Sequence, residues 1–187
     1  MLKKLIRGFR DRAIERLPSR IFLARTVVPA LAADQRRRML AVGTRSYVRP
    51  FYQACTEAGI AVWSIDLDPA AAEHGAPAGH MIGNICDIES LAAGRTFDVI
   101  LFNGVLGWGL DDADEAVRAL EAMKKVAEPG AVILVGWNPG RTSGAEVRAV
   151  QQRLARTALG NIPAEIVFAP AGRAQRHPHR YELFTLA

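Results

Sequence analysis

The chain has 187 residues, 50% of them hydrophobic and 23% charged, enough for one domain with a sizeable core and too apolar for disorder. Its net charge of +5 is unevenly spread: residues 1–38 carry 11 Lys/Arg against 3 Asp/Glu, residues 39–140 carry 6 against 13, and residues 141–187 carry 7 against 3. That split argues against a protein that meets nucleic acid over its whole surface, and no apolar run approaches the roughly 18–20 residues of a transmembrane span.

Residues 1–17 read as an amphipathic helix, with Leu2, Leu5, Ile6, Phe9, Ala13 and Leu17 at helical spacing among Lys3, Lys4, Arg7, Arg10, Arg12 and Arg16. These cations interrupt any signal-peptide core, so the expected location is cytoplasmic. Pro18 and Ser19 break the helix. Ile21–Ala33 is a second, more apolar segment, helical in part, with Pro29 inside it or at its end. From residue 39 strands and helices alternate. Met39–Gly43 is a buried strand ending in a turn, Tyr47–Ala58 a helix, Ile60–Ile65 a strand, and Ala70–Glu73 the start of a short helix. His80–Asn84 is a third strand and Phe97–Phe102 a fourth. Asp112–Val126 is a helix with acids in its first turn and Lys124 and Lys125 in its last. Glu128-Pro129-Gly130 is a turn, Ala131–Trp137 a fifth strand, and Ser143–Leu159 a helix capped by Gly160. Ala164–Ala169 and Arg180–Leu186 close the chain as two antiparallel strands joined through residues 170–179. The expected fold is an open, seven-stranded, mostly parallel α/β sheet. Residues 1–38 form a basic helical extension and residues 39–187 the α/β domain.

Open α/β sheets bind ligands beyond the carboxyl ends of their strands, at the switch point of strand order. The segments that follow the strands are Gly43-Thr44-Arg45-Ser46-Tyr47, Asp66-Leu67-Asp68, Asn84-Ile85, Asn103-Gly104 leading to Trp108, and Asn138-Pro139-Gly140-Arg141. Asp66 lies 23 residues after Gly43, close to the spacing of about 20 at which a carboxylate reaches a ribose. Asp68, just before Pro69, suits a helix N-cap. A dinucleotide loop needs G-x-G-x-x-G. Here only Gly43 remains, with Arg45 and Tyr47 where small residues are expected.

From Arg38 to the C-terminus the chain resembles the class I S-adenosylmethionine-dependent methyltransferases. MLAVGTRSY stands at the glycine-rich first motif, SIDLDP at the acidic ribose-binding strand end, IGNICDIESL at the adenine segment and FDVILFNGVLGWG at the fourth strand. EPGAVILVGW stands at the fifth strand, and Tyr181-Glu182-Leu183-Phe184 at the antiparallel terminal strand. The resemblance implies a Rossmann-like fold and S-adenosylmethionine as cofactor. Gly43, with Thr44, Arg45 and Tyr47, would face the methionine part, Asp66 the ribose hydroxyls and Leu67 the adenine. Asn84 and Ile85 would read the adenine edge, and Asn103 and Gly104 would lie below the sulfonium. Two departures stand out: Ala41 replaces the usual acid of the first motif, and Asn84 replaces the usual Asp.

The expected reaction is methyl transfer to a small-molecule acceptor by in-line displacement, in which positioning supplies much of the catalysis. Trp108, Asn138 and Arg141 are the candidate substrate residues. Asp111 and His74 are the candidate general bases, with a helix N-cap and a solvated loop histidine as their plainer readings. A non-catalytic Rossmann-like binding or regulatory protein is the alternative, and an NAD(P)-dependent oxidoreductase a third reading. No metal and no nucleic-acid partner is expected. His177 and His179 read as hairpin-loop residues rather than ligands, Trp63 as core, and Cys55 and Cys86 as reduced. The N-terminal helix has three readings: a lid over the site, weak contact with an anionic membrane surface, or a solvated helix packed on the domain. The Arg-rich ends admit an acidic or nucleotide-linked acceptor.

Overall fold

The computed structural model describes residues 10–186. Residues 1–9, which hold Leu2, Leu5, Ile6 and Phe9 of the expected first helix, lie outside the described part, while residues 10–15 are helical. There Ile14 and Leu17 turn inward and Ala13 outward.

The strands are β1 (Arg38–Val42), β2 (Ala61–Asp66), β3 (Gly79–Ile82), β4 (Phe97–Asn103), β5 (Ala127–Trp137), β6 (Ala155–Arg156), β7 (Glu165–Phe168) and β8 (His179–Thr185). They form one sheet of order β3-β2-β1-β4-β5-β8-β6, with β7 also on β8. The first five pair in parallel, and β8 runs antiparallel to β5. The strand order reverses between β1 and β4, which opens a crevice beyond their carboxyl ends.

Alternation along the strands sorts the core onto two faces. Leu40, Val42, Ile100, Phe102, Ile133 and Val135 point one way. That face is covered by α3 (Ile88–Leu91), α4 (Ala113–Lys125) and α5 (Ala145–Gln151). Met39, Ala41, Val99, Leu101, Val132 and Leu134 point the other way. There they meet α2 (Arg49–Glu57) and α1, which comprises Pro18–Phe22, a π-helical turn at Leu23–Val27, and Val28–Ala33. Burial on both faces is why these strands read as continuous apolar runs. α1 belongs to this layer: Leu23, Val27, Val28 and Leu31 are almost fully buried. Pro29 cannot donate a hydrogen bond and would crowd the carbonyl four residues back. The widened turn, in which the Val28 N–H reaches Leu23 O, accommodates it. Pro18 opens this helix as well as closing the one before. No helix among the described residues is long and apolar enough to cross a membrane.

Two expected elements came out differently. The helix expected over Ser143–Leu159 stops at Gln151, and residues 155–156 become β6, an eighth strand. β8 would otherwise leave one edge unpaired; β6 covers it near Phe184 and Thr185, and β7 covers it from His179 to Glu182. Arg156 adds an ion pair to the fully buried Glu182. The expected Glu128-Pro129-Gly130 turn lies inside β5, where the register with β4 shifts between Phe97 and Val99. Gly130, at φ +73°, takes up the irregularity.

Candidate functional site

The β1 and β2 ends meet through Asp66. This carboxylate is 9% exposed. Its Oδ2 accepts the Thr44 N–H at 2.7 Å and an Arg45 guanidinium N–H at 2.7 Å, and its Oδ1 accepts the Asp68 N–H at 2.9 Å. The Arg45 side chain is half exposed and also donates to Thr44 O at 2.6 Å. Thr44 is held from below: its hydroxyl lies 2.6 Å from the Tyr52 hydroxyl. Burial pushes the Tyr52 phenol up to about 12, so the pair stays neutral. Asp68 caps the following turn through the Ala70 N–H at 2.9 Å, as its place before Pro69 implied.

Gly43 sits at the switch point with φ +83°. A Cβ there would lie 3.2 Å from Val105 Cγ2 and 3.8 Å from Asn103 O, so glycine serves both the backbone turn and the close approach of β1 to the segment after β4. Beside Asp66 the surface is apolar. Leu67 is 69% exposed and Ile82, the β3 residue paired with Asp66, is 49% exposed. Asn84 follows β3; its Oδ1 accepts the Cys86 N–H at 2.9 Å and caps a short turn beginning at Ile85, which is buried.

At the other end a row runs across three strands: Asn103 of β4 pairs with Gly136 of β5, and Gly136 with Tyr181 of β8. A Cβ at Gly136 would fall 2.1 Å from Asn103 Oδ1 and 2.8 Å from Tyr181 Cε1. The glycine therefore makes the space that the Asn103 side chain fills. Asn103 Oδ1 is buried without a hydrogen-bond partner. Gly104, at φ +70°, turns the chain away and anchors its N–H on Gly136 O at 2.9 Å.

Trp108, Asn138 and Arg141 come together. The Trp108 indole N–H donates to Asn138 Oδ1 at 3.4 Å, and the Arg141 guanidinium lies 4.5 Å from the Trp108 ring centroid. Trp108 remains 56% exposed. Asn138 Nδ2 donates to Pro178 O at 2.9 Å and approaches His179 Nδ1 at 3.1 Å. His179 is not a loop residue as expected: it opens β8, is 5% exposed, and sets its ring 4.6 Å from Tyr181. Burial, with the Arg20 charge added, holds its imidazole down at about 3, hence neutral. His177 is exposed.

The two candidate bases are not brought together. His74 is buried rather than solvated, in the turn after β2, with Nδ1 3.3 Å from an Arg49 guanidinium nitrogen. Asp111 is exposed beyond β4; the N-cap of α4 is its neighbour Asp112, which accepts the Glu115 N–H at 2.9 Å. Trp63 packs edge-on against Phe97, and the Trp137 indole N–H is tied to Glu182 at 2.9 Å. Cys55 is buried, Cys86 is half-buried, and both thiols are free.

Sequence reading missed several residues here. Gly136 carried a signal, since an isolated glycine inside an apolar strand marks a close approach. Tyr52, like Tyr47, reads from sequence as either site or core, and its hydroxyl meets Thr44 behind Asp66. Arg20 is the largest omission: it stacks on Tyr47 at 5.2 Å, and nothing local distinguishes it from the other N-terminal arginines. Nearby, the Ser46 hydroxyl donates to Asp11 at 2.5 Å, so both the first helix and α1 touch the loop after β1.

No protein-family profile matches the sequence, and no curated protein matches it. Solved structures do. N-methyltransferase NodS from Bradyrhizobium japonicum WM9 in complex with S-adenosyl-L-homocysteine aligns with a TM-score of 0.64 at 14% identity, over 91% of this chain and 89% of NodS. Cofactor-bound Rv0187 from MTB aligns with a TM-score of 0.60 at 20% identity, over 97% of this chain and 88% of its own. A TehB-like SAM-dependent methyltransferase from Corynebacterium glutamicum gives 0.59 at 17% identity, over 86% and 88%. With its strand order, antiparallel β8 and strand-end crevice, the chain has the fold of the class I S-adenosylmethionine-dependent methyltransferases.

Proposed function

We propose that the protein binds S-adenosylmethionine at the ends of β1 to β4 and transfers its methyl group to a small-molecule acceptor. The observation that carries this reading is Asp66: a buried carboxylate, oriented by two backbone N–H groups, beside the exposed apolar surface of Leu67 and Ile82. Such a carboxylate has lone pairs left to accept ribose hydroxyls, and the apolar surface suits a flat base. Gly43 gives the backbone access that the methionyl part needs. Asn84 and the N–H of Ile85 stand where the adenine edge would be read, and Gly104 and Asn103 below the transferring centre. When bound, the cofactor supplies an electrophilic methyl group. The chain's own residues orient the partners, exclude water and hold the acceptor. Trp108, Asn138 and Arg141 form the outer wall of the acceptor side, and the helices carrying Asp11 and Arg20 close over the β1 loop as a lid. Asp111 and His74 remain candidate bases only for a hydroxyl acceptor.

One requirement follows from the geometry. Arg45 occupies Asp66 Oδ2 and must move aside for both ribose hydroxyls to be held. Its half-exposed side chain can swing out of the ion pair into solvent, leaving Asp66 held by its two backbone N–H donors. The same ion pair favours a second reading, a binding or regulatory protein without turnover.

Calorimetry with S-adenosylhomocysteine, followed by a tritium-transfer assay over small acceptors, separates the two. Binding that Asp66→Ala abolishes, with methyl transfer, supports the enzyme. Binding with no transfer to any acceptor supports the regulatory reading. No binding at high micromolar ligand removes the methyl-transfer reading, and preferential binding of NAD(P) favours the oxidoreductase.

A further inference from the structure

We infer that the acceptor carries a carboxylate, held by the Arg20 guanidinium together with the Nε2–H of His179. The acceptor role rests on the methyl-transfer reading above; the carboxylate site rests only on the residues that form it.

Arg20 is the third residue of α1, and the turn that bears it is seated on the start of β8. The Tyr181 hydroxyl donates to Ser19 O at 3.4 Å, and the Phe22 ring lies 6.2 Å from that of Tyr181 and 5.4 Å from that of Phe168. The Ser19 hydroxyl donates to Gln175 Oε1 at 3.4 Å. From this anchored turn the guanidinium reaches over the Tyr47 ring, 5.2 Å from its centroid, and the Tyr181 ring on which the turn is seated lies 4.6 Å from that of His179. Arg20 therefore stands over the crevice, between the loop after β1 and the start of β8.

Arg20 is half-buried, yet no carboxylate among the described residues pairs with it. Two acids on neighbouring elements are committed elsewhere: Asp11 accepts from Ser46, and Glu182 accepts from Trp137, Gln151 and Arg156. A partly desolvated cation without a counter-charge is costly, and a tyrosine face compensates it only in part.

His179 supplies the second donor. Pro178 O can only accept, so it fixes the Asn138 amide with Nδ2 as donor, and the other N–H of that nitrogen meets His179 Nδ1. The ring proton therefore sits on Nε2, which is buried and has no partner. Buried polar atoms are nearly always satisfied. A planar cation with one neutral N–H beside it suits a single negative charge on a flat group, which is a carboxylate. A phosphate dianion calls for a second cation, and Arg141 is instead stacked on Trp108.

The test uses the full-length protein and a matched pair of probes, benzoate and benzamide, titrated by ¹H–¹⁵N NMR without and with saturating S-adenosylhomocysteine. Benzoate should bind at least tenfold more tightly than benzamide. Arg20→Gln should abolish that preference and Arg20→Lys retain part of it, while both keep the wild-type thermal midpoint. Equal binding of the two probes, or binding of neither, overturns the inference. So does an Arg20→Gln variant that loses S-adenosylhomocysteine as strongly as benzoate, since the guanidinium would then serve the cofactor. A wild-type protein that prefers benzoate but ignores S-adenosylhomocysteine sinks the methyl-transfer reading and leaves the carboxylate site standing.

Discussion

At the ends of β1 and β2 the polar groups are satisfied by the chain itself. Asp66 has three donors, and the Thr44 and Tyr52 hydroxyls have each other. At the ends of β4, β5 and β8 they are not. Asn103 Oδ1 and His179 Nε2 are buried without partners, and Arg20 has a ring beneath it but no counter-ion. The first region is pre-organised around one fixed carboxylate. The second holds unspent hydrogen-bonding capacity, and its charge is positive rather than negative. A ligand spanning both would be gripped by hydroxyls at one end and by an anion at the other.

The contrast can be broken from the β8 end by acid. The His179 pKa is depressed from 6.5 unfolded to about 3 folded. The neutral ring, facing Arg20, Asn138 and Tyr181, therefore contributes stability that is complete above about pH 6.5 and is lost as pH falls towards 3. Within that window the slope attributable to this group approaches about 1.4 kcal/mol per pH unit. Denaturant melts of the wild type and His179→Phe at matched pH should show parallel pH slopes above pH 6.5 and a steeper loss of stability in the wild type below it. Parallel slopes would remove the buried imidazole from the account.

At the other end, Asp66→Ala should weaken S-adenosylhomocysteine binding about a hundredfold, because two hydrogen bonds to a charged acceptor disappear at once. Calorimetry reads this directly, and near wild-type affinity would detach the carboxylate from the ligand. Gly136→Ala tests the row between the regions. Its Cβ collides with Asn103 Oδ1, which should cost about 1–3 kcal/mol. With a shift of roughly 2–4 °C per kcal/mol for a chain of this size, the thermal midpoint should fall by several degrees, and an unchanged midpoint would detach Gly136 from the space that the Asn103 side chain fills. The smallest effect belongs to Arg45→Gly. Freed of its ion pair with the half-exposed Arg45, the buried Asp66 should bind S-adenosylhomocysteine about threefold more tightly. Weaker binding instead would make Arg45 a ligand contact.

These two regions were also unequally readable from sequence. The β1–β2 region is local: Gly43, Thr44 and Arg45 are consecutive, and Asp66 and Asp68 end the next strand, so spacing alone located them. The sheet was legible for a related reason, since strands buried on both faces print as MLAV, DVILF and AVILV. The Arg20–His179 cluster joins residues 159 positions apart, and no pattern in either segment announces the other. β6 was hidden because a two-residue strand follows from the edge of β8 that needs covering, not from its own residues, Ala155 and Arg156. His179 looked like loop because histidines flanking a proline carry no periodicity.

The π-helical turn at Leu23–Val27 acts on Arg20, nine residues before Pro29, in a way that is angular rather than chemical. A regular helix advances about 100° per residue. A π-turn carries an extra residue in that turn, so the segment ahead of it is out of phase with the segment behind. Leu31 faces the sheet in one phase, and Arg20 leaves α1 in the other. The wide turn is thus a phase-setter. Closing that turn into regular helix with every residue kept would, with Leu31 seated, rotate Arg20 away from Tyr47 by roughly one residue's advance of about 100°, whereas deleting one residue within Leu23–Val27 would remove the extra residue and leave both Leu31 and Arg20 in place. A proline that cannot join the helix ladder thereby fixes where, around the helix, a charge more than two turns upstream is delivered.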